Sequence, residues 1–316
     1  MGARGAIKQQ SFCKFGPTYD REAGAFSLLS DRTFNTSFAD KSYINGFMGT
    51  ETVTIGNITV KHQQIGVVQE ASWGGDGTSS GLFGLGPPSI TNAWPKNASY
   101  EAVKKKTAKS IRYDTVFTNM YKQGLVALYF SMAFNRRDEG PGALTLGGLP
   151  EAPIRHTGEF GRAPPNDTAN EYLFYIIQPD AFSIAGTDVA NKAQIVIDSG
   201  SPLAILPAAV VDAFYAGYTG DKPKKDRITG QYLMPCDKKR QAPKFGVILN
   251  GTTIWFDDKD LMMVASGSLC IGTVQGIPST ASGSAALASL GTAFLENVIA
   301  VFDIGAAEMR FANRVR

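Results

Sequence analysis

Three β-branched residues, Ile195-Val196-Ile197, run straight into Asp198-Ser199-Gly200-Ser201. An apolar strand that ends in an acidic residue, small residues and a glycine is a demanding construction. A carboxylate buried at such a strand end is costly unless hydrogen bonds satisfy it. Small hydroxyls and the N–H groups of a glycine turn are suitable donors. Asp-Ser-Gly alone is an ordinary surface turn; its surroundings set this one apart. Pro202-Leu203-Ala204-Ile205-Leu206 continues as a strand. A helix is expected from Pro207 to Tyr218, with Pro207 at its first position and Val210, Val211, Phe214 and Tyr215 on its apolar face.

The rest of the 316-residue chain reads mainly as strand. Thr52 to Val60 alternates about a Gly56-Asn57 turn, which predicts a β-hairpin. Further strands are expected at Ala143–Leu146, Tyr172–Ile177, Gln194–Ile197 and Ile299–Asp303, and a helix over Ser110–Gln123. With 43% hydrophobic residues the chain has enough apolar surface for two domains or one large β unit. Its 34 glycines and 16 prolines are spread out, as many turns between short strands require. Ala163–Asn170, rich in Pro, Asn and Asp, is the candidate linker between halves.

The formal charge is only +3. Basic residues gather at Lys104, Lys105, Lys106, Lys109 and Arg112, and at Lys222, Lys224, Lys225 and Arg227. Neither run interleaves with aromatics, so both read as solvated faces and not as nucleic-acid sites. No apolar run reaches the roughly 18 residues that cross a bilayer, so no membrane association is expected. Met1 to Gln10 lacks the hydrophobic stretch of a secretory signal. Yet five N-x-Ser/Thr sequons, at Asn35, Asn57, Asn97, Asn166 and Asn250, have a use only in a secretory compartment.

Asp198 in its setting resembles the second active-site motif of the pepsin-like (peptidase A1) aspartic proteases, in their fungal secreted branch: apolar-apolar-Asp-(Thr/Ser)-Gly-(Ser/Thr), a strand, a proline and a helix. Four more segments match in order. Phe38-Ala39-Asp40-Lys41-Ser42-Tyr43 through Glu51-Thr52-Val53 is similar to the flap hairpin that closes over substrate. Ser80 to Gly86 resembles the apolar-apolar-Gly segment threaded behind the first active-site loop, and Leu290-Gly291-Thr292 its counterpart in the second lobe. Val301 to Ala312 resembles the closing strands. The resemblance runs from about residue 11 onward. It implies a bilobal, mainly β acid-protease fold, with 1–155 a partial N-terminal lobe and 156–316 the C-terminal lobe. It further implies a catalytic role for Asp198, substrate contacts at Gly200, Ser201, Phe38, Ala39 and Asp40, and a disulfide between Cys236 and Cys270. Cys13 is left over, without the upstream partner that the family has.

The chemistry implied needs two carboxylates sharing one proton: one activates a water while the other, protonated, polarises the scissile carbonyl. The second aspartate should stand in an Asp-Thr/Ser-Gly motif well before the flap. Asp20, Asp31, Asp40, Asp76 and Asp114 lie ahead of the inter-lobe region, and none is followed by Thr/Ser-Gly. The N-terminal lobe is therefore expected to be incomplete and the chain, as written, inactive. Phe38 stands where the family has a tyrosine, and Ala39 and Lys41 replace glycines.

Other chemistries fall away. His62 and His156 are far apart and have no neighbouring ligands, so no metal is expected; the phosphate-loop motif is absent, and no cofactor is expected. The leading expectation is an aspartic endopeptidase, monomeric, acting on peptides or proteins, secreted in its full-length form. The alternative is a non-catalytic pepsin-like homologue that binds peptides. A symmetric dimer pairing two copies of Asp198 ranks third, because the first lobe would occupy the docking surface.

Overall fold

The structure is a computed structural model that describes residues 10–38, 42–72, 74–98, 102–103, 107–164, 174–219, 223–227, 230–236, 242–277 and 287–316. The chain divides into two compact units, Met1–Leu125 and Val126–Arg316.

In the first unit, β1 (Ser27–Ser37), β2 (Tyr43–Ile55), β3 (Ile58–Ala71) and β4 (Ala93–Pro95) form one sheet in the order β3-β2-β1-β4. The hairpin read from Thr52–Val60 is present, turning at Gly56 with φ +59°, where glycine meets no Cβ penalty. Its strands run further than the alternation suggests. Register shifts at Asn45/Gly46 and Glu51/Val53 move side chains to the other face and break the period-2 pattern.

The expected helix at Ser110–Gln123 is shorter, α1 (Val116–Lys122). Ile111 pairs instead with Ala93, its N–H donating to the Ala93 carbonyl at 2.7 Å, and Thr115 caps the helix by accepting from the Thr118 N–H. α1 packs on β3, burying Phe117 and Met120. Met48 and Val60 are buried in the same unit.

The strands of the second unit begin with β5 (Tyr129–Ala133), β6 (Ala143–Leu146), β7 (Arg155–His156), β8 (Gly161–Ala163), β9 (Ile176–Ile177), β10 (Ala181–Ile184) and β11 (Thr187–Ala190). They continue with β12 (Ile195–Ile197), β13 (Ala204–Leu206), β14 (Lys224–Lys225), β15 (Tyr232–Pro235), β16 (Phe245–Leu249) and β17 (Thr252–Trp255). The last are β18 (Met262–Ser266), β19 (Leu269–Gly272), β20 (Val274–Gly276), β21 (Ala288–Leu290), β22 (Val298–Asp303) and β23 (Glu308–Val315). Among the described residues two short helices join them, α2 (Ala208–Ala216) and α3 (Thr292–Leu295).

A six-stranded sheet, β6-β5-β22-β23-β7 with β8 also on β23, carries the largest apolar strand, Val298 to Phe302 being wholly buried. It takes β5 and β6 into the second unit, ahead of the 155/156 boundary expected from sequence. Ala163, at the head of the candidate linker, pairs with Met309 in this sheet. Phe130 stacks on Phe302 at 4.6 Å and Tyr175 meets both edge-on. Of the strand expected at Tyr172–Ile177, only Ile176–Ile177 is strand; 172–173 lie outside the described residues.

Pro207 is the cap of α2 and not its first residue: its φ of −57° suits the entry, and its carbonyl accepts from Val210 and Val211. Cys236 and Cys270 are joined, with Cα atoms 5.1 Å apart, where β15 pairs with β19. Cys13 is a free, half-buried thiol.

Candidate active site

The site-bearing sheet of the second unit has the order β20-β13-β21-β12-β9. β21 lies between the two strands of the Asp198 motif. It runs parallel to β12 (Ile195↔Ala288, Ile197↔Leu290) and antiparallel to β13 (Ala204↔Leu290, Ile205↔Ser289). Ile195, Ile197, Ala204, Leu206, Ala288 and Leu290 are all buried, as an apolar run walled on both faces should be. The chain therefore leaves β12 at Asp198, loops over the end of β21 and returns along β13.

Backbone hydrogen bonds hold that loop. The Asp198 N–H donates to Leu290 O at 3.0 Å, Ser201 N–H to Asp198 O at 3.2 Å, and Thr292 N–H to Ser201 O at 2.7 Å. Gly291 N–H donates to Leu203 O at 3.0 Å, and Ala293 N–H to Pro202 O at 3.3 Å. At the loop's centre, the Gly200 N–H donates to Oδ1 of Asp198 at 2.9 Å. A Cβ on Gly200 would stand 3.2 Å from that same oxygen, so a glycine suits the approach.

Two expectations change here. Asp198, Ser199 and Gly200 are exposed, so the carboxylate is presented and not buried. The Ser201 hydroxyl is engaged with the Leu203 backbone, accepting from its N–H at 3.3 Å. What orients Asp198 is thus the glycine turn. Leu203, whose backbone serves both Ser201 and Gly291, carries no sequence signal because its contribution is main-chain.

Asp198, Gly200 and Ser201 come together on this one loop. Phe38 lies in the first unit at the end of β1, its N–H donating to Ser42 O at 2.9 Å across the hairpin tip. Ala39 and Asp40 lie outside the described residues. In the same unit Leu82 and Phe83, of the segment likened to the first threading strand, are 65% and 39% exposed and belong to no strand. The counterpart β21 is enclosed on both sides. Just ahead, Asp76 accepts from the N–H groups of Ser79 and Thr78 and from the Ser79 hydroxyl, which holds its carboxyl below the usual range. Of the sequons, Asn57, Asn97 and Asn250 are exposed, Asn35 is half-buried within β1, and Asn166 is outside the described residues.

A carboxylate fixed by a backbone turn at the mouth of a rigid sheet can orient and deprotonate a water; with no proton-bearing partner it cannot also polarise a carbonyl. Comparison with known proteins bears on this chemistry. A profile of the eukaryotic aspartyl protease family matches residues 4–314. A probable aspartic-type endopeptidase of Aspergillus fumigatus is 34% identical over 319 residues, spanning 96% of this chain and 68% of the relative. Penicillopepsin-1 of Talaromyces stipitatus is 24% identical, spanning 93% and 68%. Aspergillopepsin-1 of Aspergillus oryzae is 26% identical, spanning 92% and 66%. An aspartic proteinase from Irpex lacteus has the same fold, with a TM-score of 0.71 at 20% identity over 95% of this chain and 86% of that one.

Proposed function

This chain belongs to the eukaryotic aspartyl protease family, and on that premise we propose that Asp198 is one half of a proton-sharing dyad whose other half this chain does not supply. The observation that carries the proposal is the β12–loop–β13 arrangement around β21, with the Gly200 N–H on Asp198 Oδ1. The family's substrates are peptides or proteins. Asp198 then holds a water against the scissile carbonyl, Gly200 and Ser201 line the approach, and Phe38, Ala39 and Asp40 contact the substrate. A second carboxylate then donates the proton that polarises the carbonyl.

The first lobe is read as incomplete. Leu82 and Phe83 support this: the segment whose counterpart in the second unit, β21, is flanked by two strands presents two exposed apolar side chains in the first. On its own the chain therefore has negligible peptidase activity. The Cys236–Cys270 bridge and the exposed sequons support secretion of the full-length protein. We assign it as a monomer that needs no metal and contacts neither membrane nor nucleic acid.

A chimera tests the reading. The part of the Aspergillus fumigatus relative that precedes its matched region is fused ahead of this chain. Pepstatin-sensitive peptidase activity that Asp198→Asn abolishes is the expected result. A folded chimera that binds a substrate-like peptide but never cleaves it would favour the non-catalytic reading instead.

A further inference from the structure

Seven charged side chains of the second unit converge on one another and take no part in the site above. Arg136, which follows β5, grips Asp260 with two parallel bonds, Nε to Oδ1 and Nη2 to Oδ2, both 2.7 Å. Its Nη2 also lies 3.0 Å from Asp257 Oδ2, and its Nη1 lies 3.2 Å from Glu139 Oε1. Glu139 in turn meets Nε of Arg316 at 3.1 Å. Arg316 donates to the carbonyl of Glu296 at 2.5 Å, and Arg314 to the Phe134 carbonyl and the Asn135 side chain at 2.5 and 2.6 Å. Three guanidiniums, three carboxylates and the Glu296 backbone carbonyl thus tie the loop after β5 to the 3-10 turn Asp258–Leu261, to the residue after α3 and to the end of β23, with the Glu296 carboxyl close enough to feel their charges. The centre is dry: the Arg136 and Asp260 side chains are 12% and 4% exposed.

Acid acts on this cluster asymmetrically. Carboxylates neutralise near pH 4, whereas guanidinium stays charged throughout. Protonation would leave three positive groups crowded together, one of them buried without its counter-ion. We propose that the cluster is an acid-sensitive latch, which holds the Phe134–Glu139 loop to the Asp258–Leu261 turn and the end of β23 at neutral pH and releases it in acid.

The titrating groups differ in sign. Burial alone would raise Asp257, but the Lys259 N–H and the Arg136 guanidinium outweigh it and hold that carboxyl below the usual range. Its contribution is therefore complete above about pH 4 and lost as the pH falls through its depressed value. Glu296 is raised, by burial and then by the Asp260 charge, with Arg136 and Arg316 opposing. Its protonation precedes that of Asp257 and relieves repulsion, so release waits on the loss of the Asp257 charge.

Amide hydrogen exchange on the full chain, corrected for the intrinsic effect of pH, reads the latch directly. Protection of a peptide covering 130–139 is compared with one covering β16 and β17. Between about pH 6 and about pH 2.5 the ratio should fall on the order of tenfold or more. Asp260→Asn should show the lowered ratio already at the upper pH, with little further change. Glu139→Gln, at the exposed rim and expected to fold in any case, should show a smaller fall. A wild-type ratio that stays constant with pH overturns the proposal, as does a Glu139→Gln profile superimposable on the wild type. The test involves no peptidase activity, so its outcome is independent of the dyad.

Discussion

A Cβ on Gly291 would stand 2.1 Å from the carbonyl oxygen of Ser201, an oxygen that also accepts the Thr292 N–H. The end of β21 and the Asp198 loop are therefore in direct backbone contact, and only a glycine permits it. Leu203 O, 2.5 Å from the same ideal position, closes the other side. Gly291→Ala must push the loop away, at a cost of about 1–3 kcal/mol. Urea denaturation should show that loss, while Gly276→Ala, where a Cβ meets nothing within 4 Å, should be close to neutral.

The bridge between Cys236 and Cys270 closes a separation of 34 residues. Its loss, in a double serine variant, should cost about 2–4 kcal/mol. Thermal unfolding with and without reductant checks this. Reductant should lower the wild-type midpoint and leave the variant's unchanged.

Tyr19 donates to Glu51 Oε2 at 2.6 Å. Burial first, then that hydrogen bond and the Glu51 charge, push the Tyr19 phenol up to about 12. The contact therefore stabilises the fold below the ordinary tyrosine value, near 10, and the benefit is lost as pH rises through about 12. Burial also raises Tyr113, Tyr175, Tyr215 and Tyr232, so ultraviolet difference titration should find several late-ionising tyrosines, and Glu51→Gln should lower the midpoint of one of them.

Glycopeptide mass spectrometry on protein made in a secretory host should find glycans at Asn57, Asn97 and Asn250. Asn35 should be bare. Its strand is paired on both sides, and its carbonyl accepts the Trp94 indole N–H at 2.9 Å. Occupancy at Asn35 above that at Asn250 would contradict this ordering.

Much of this was legible in the sequence because it rests on local chemistry. Ile195–Ile197, Ala204–Leu206 and the Gly56 turn are each dictated by side-chain type or by a backbone only glycine adopts easily. What stayed hidden is mostly non-local or main-chain. The short α1 follows from Ile111 pairing with Ala93, and Leu203 acts through its backbone alone. The exposure of Asp198 depends on what lies over it, to which no residue near position 198 points. The Arg136–Asp260 pair joins residues 124 positions apart and leaves no periodic trace.

Cleavage of a fluorogenic peptide by the purified 316-residue chain, beside its Asp198→Asn variant and with or without pepstatin, bears most directly on the half-dyad. The expected result is that chain and variant are indistinguishable from buffer across acid and neutral pH. Pepstatin-sensitive cleavage by the chain, lost in Asp198→Asn, would show that a second carboxylate is already present and that Asp198 does not stand alone.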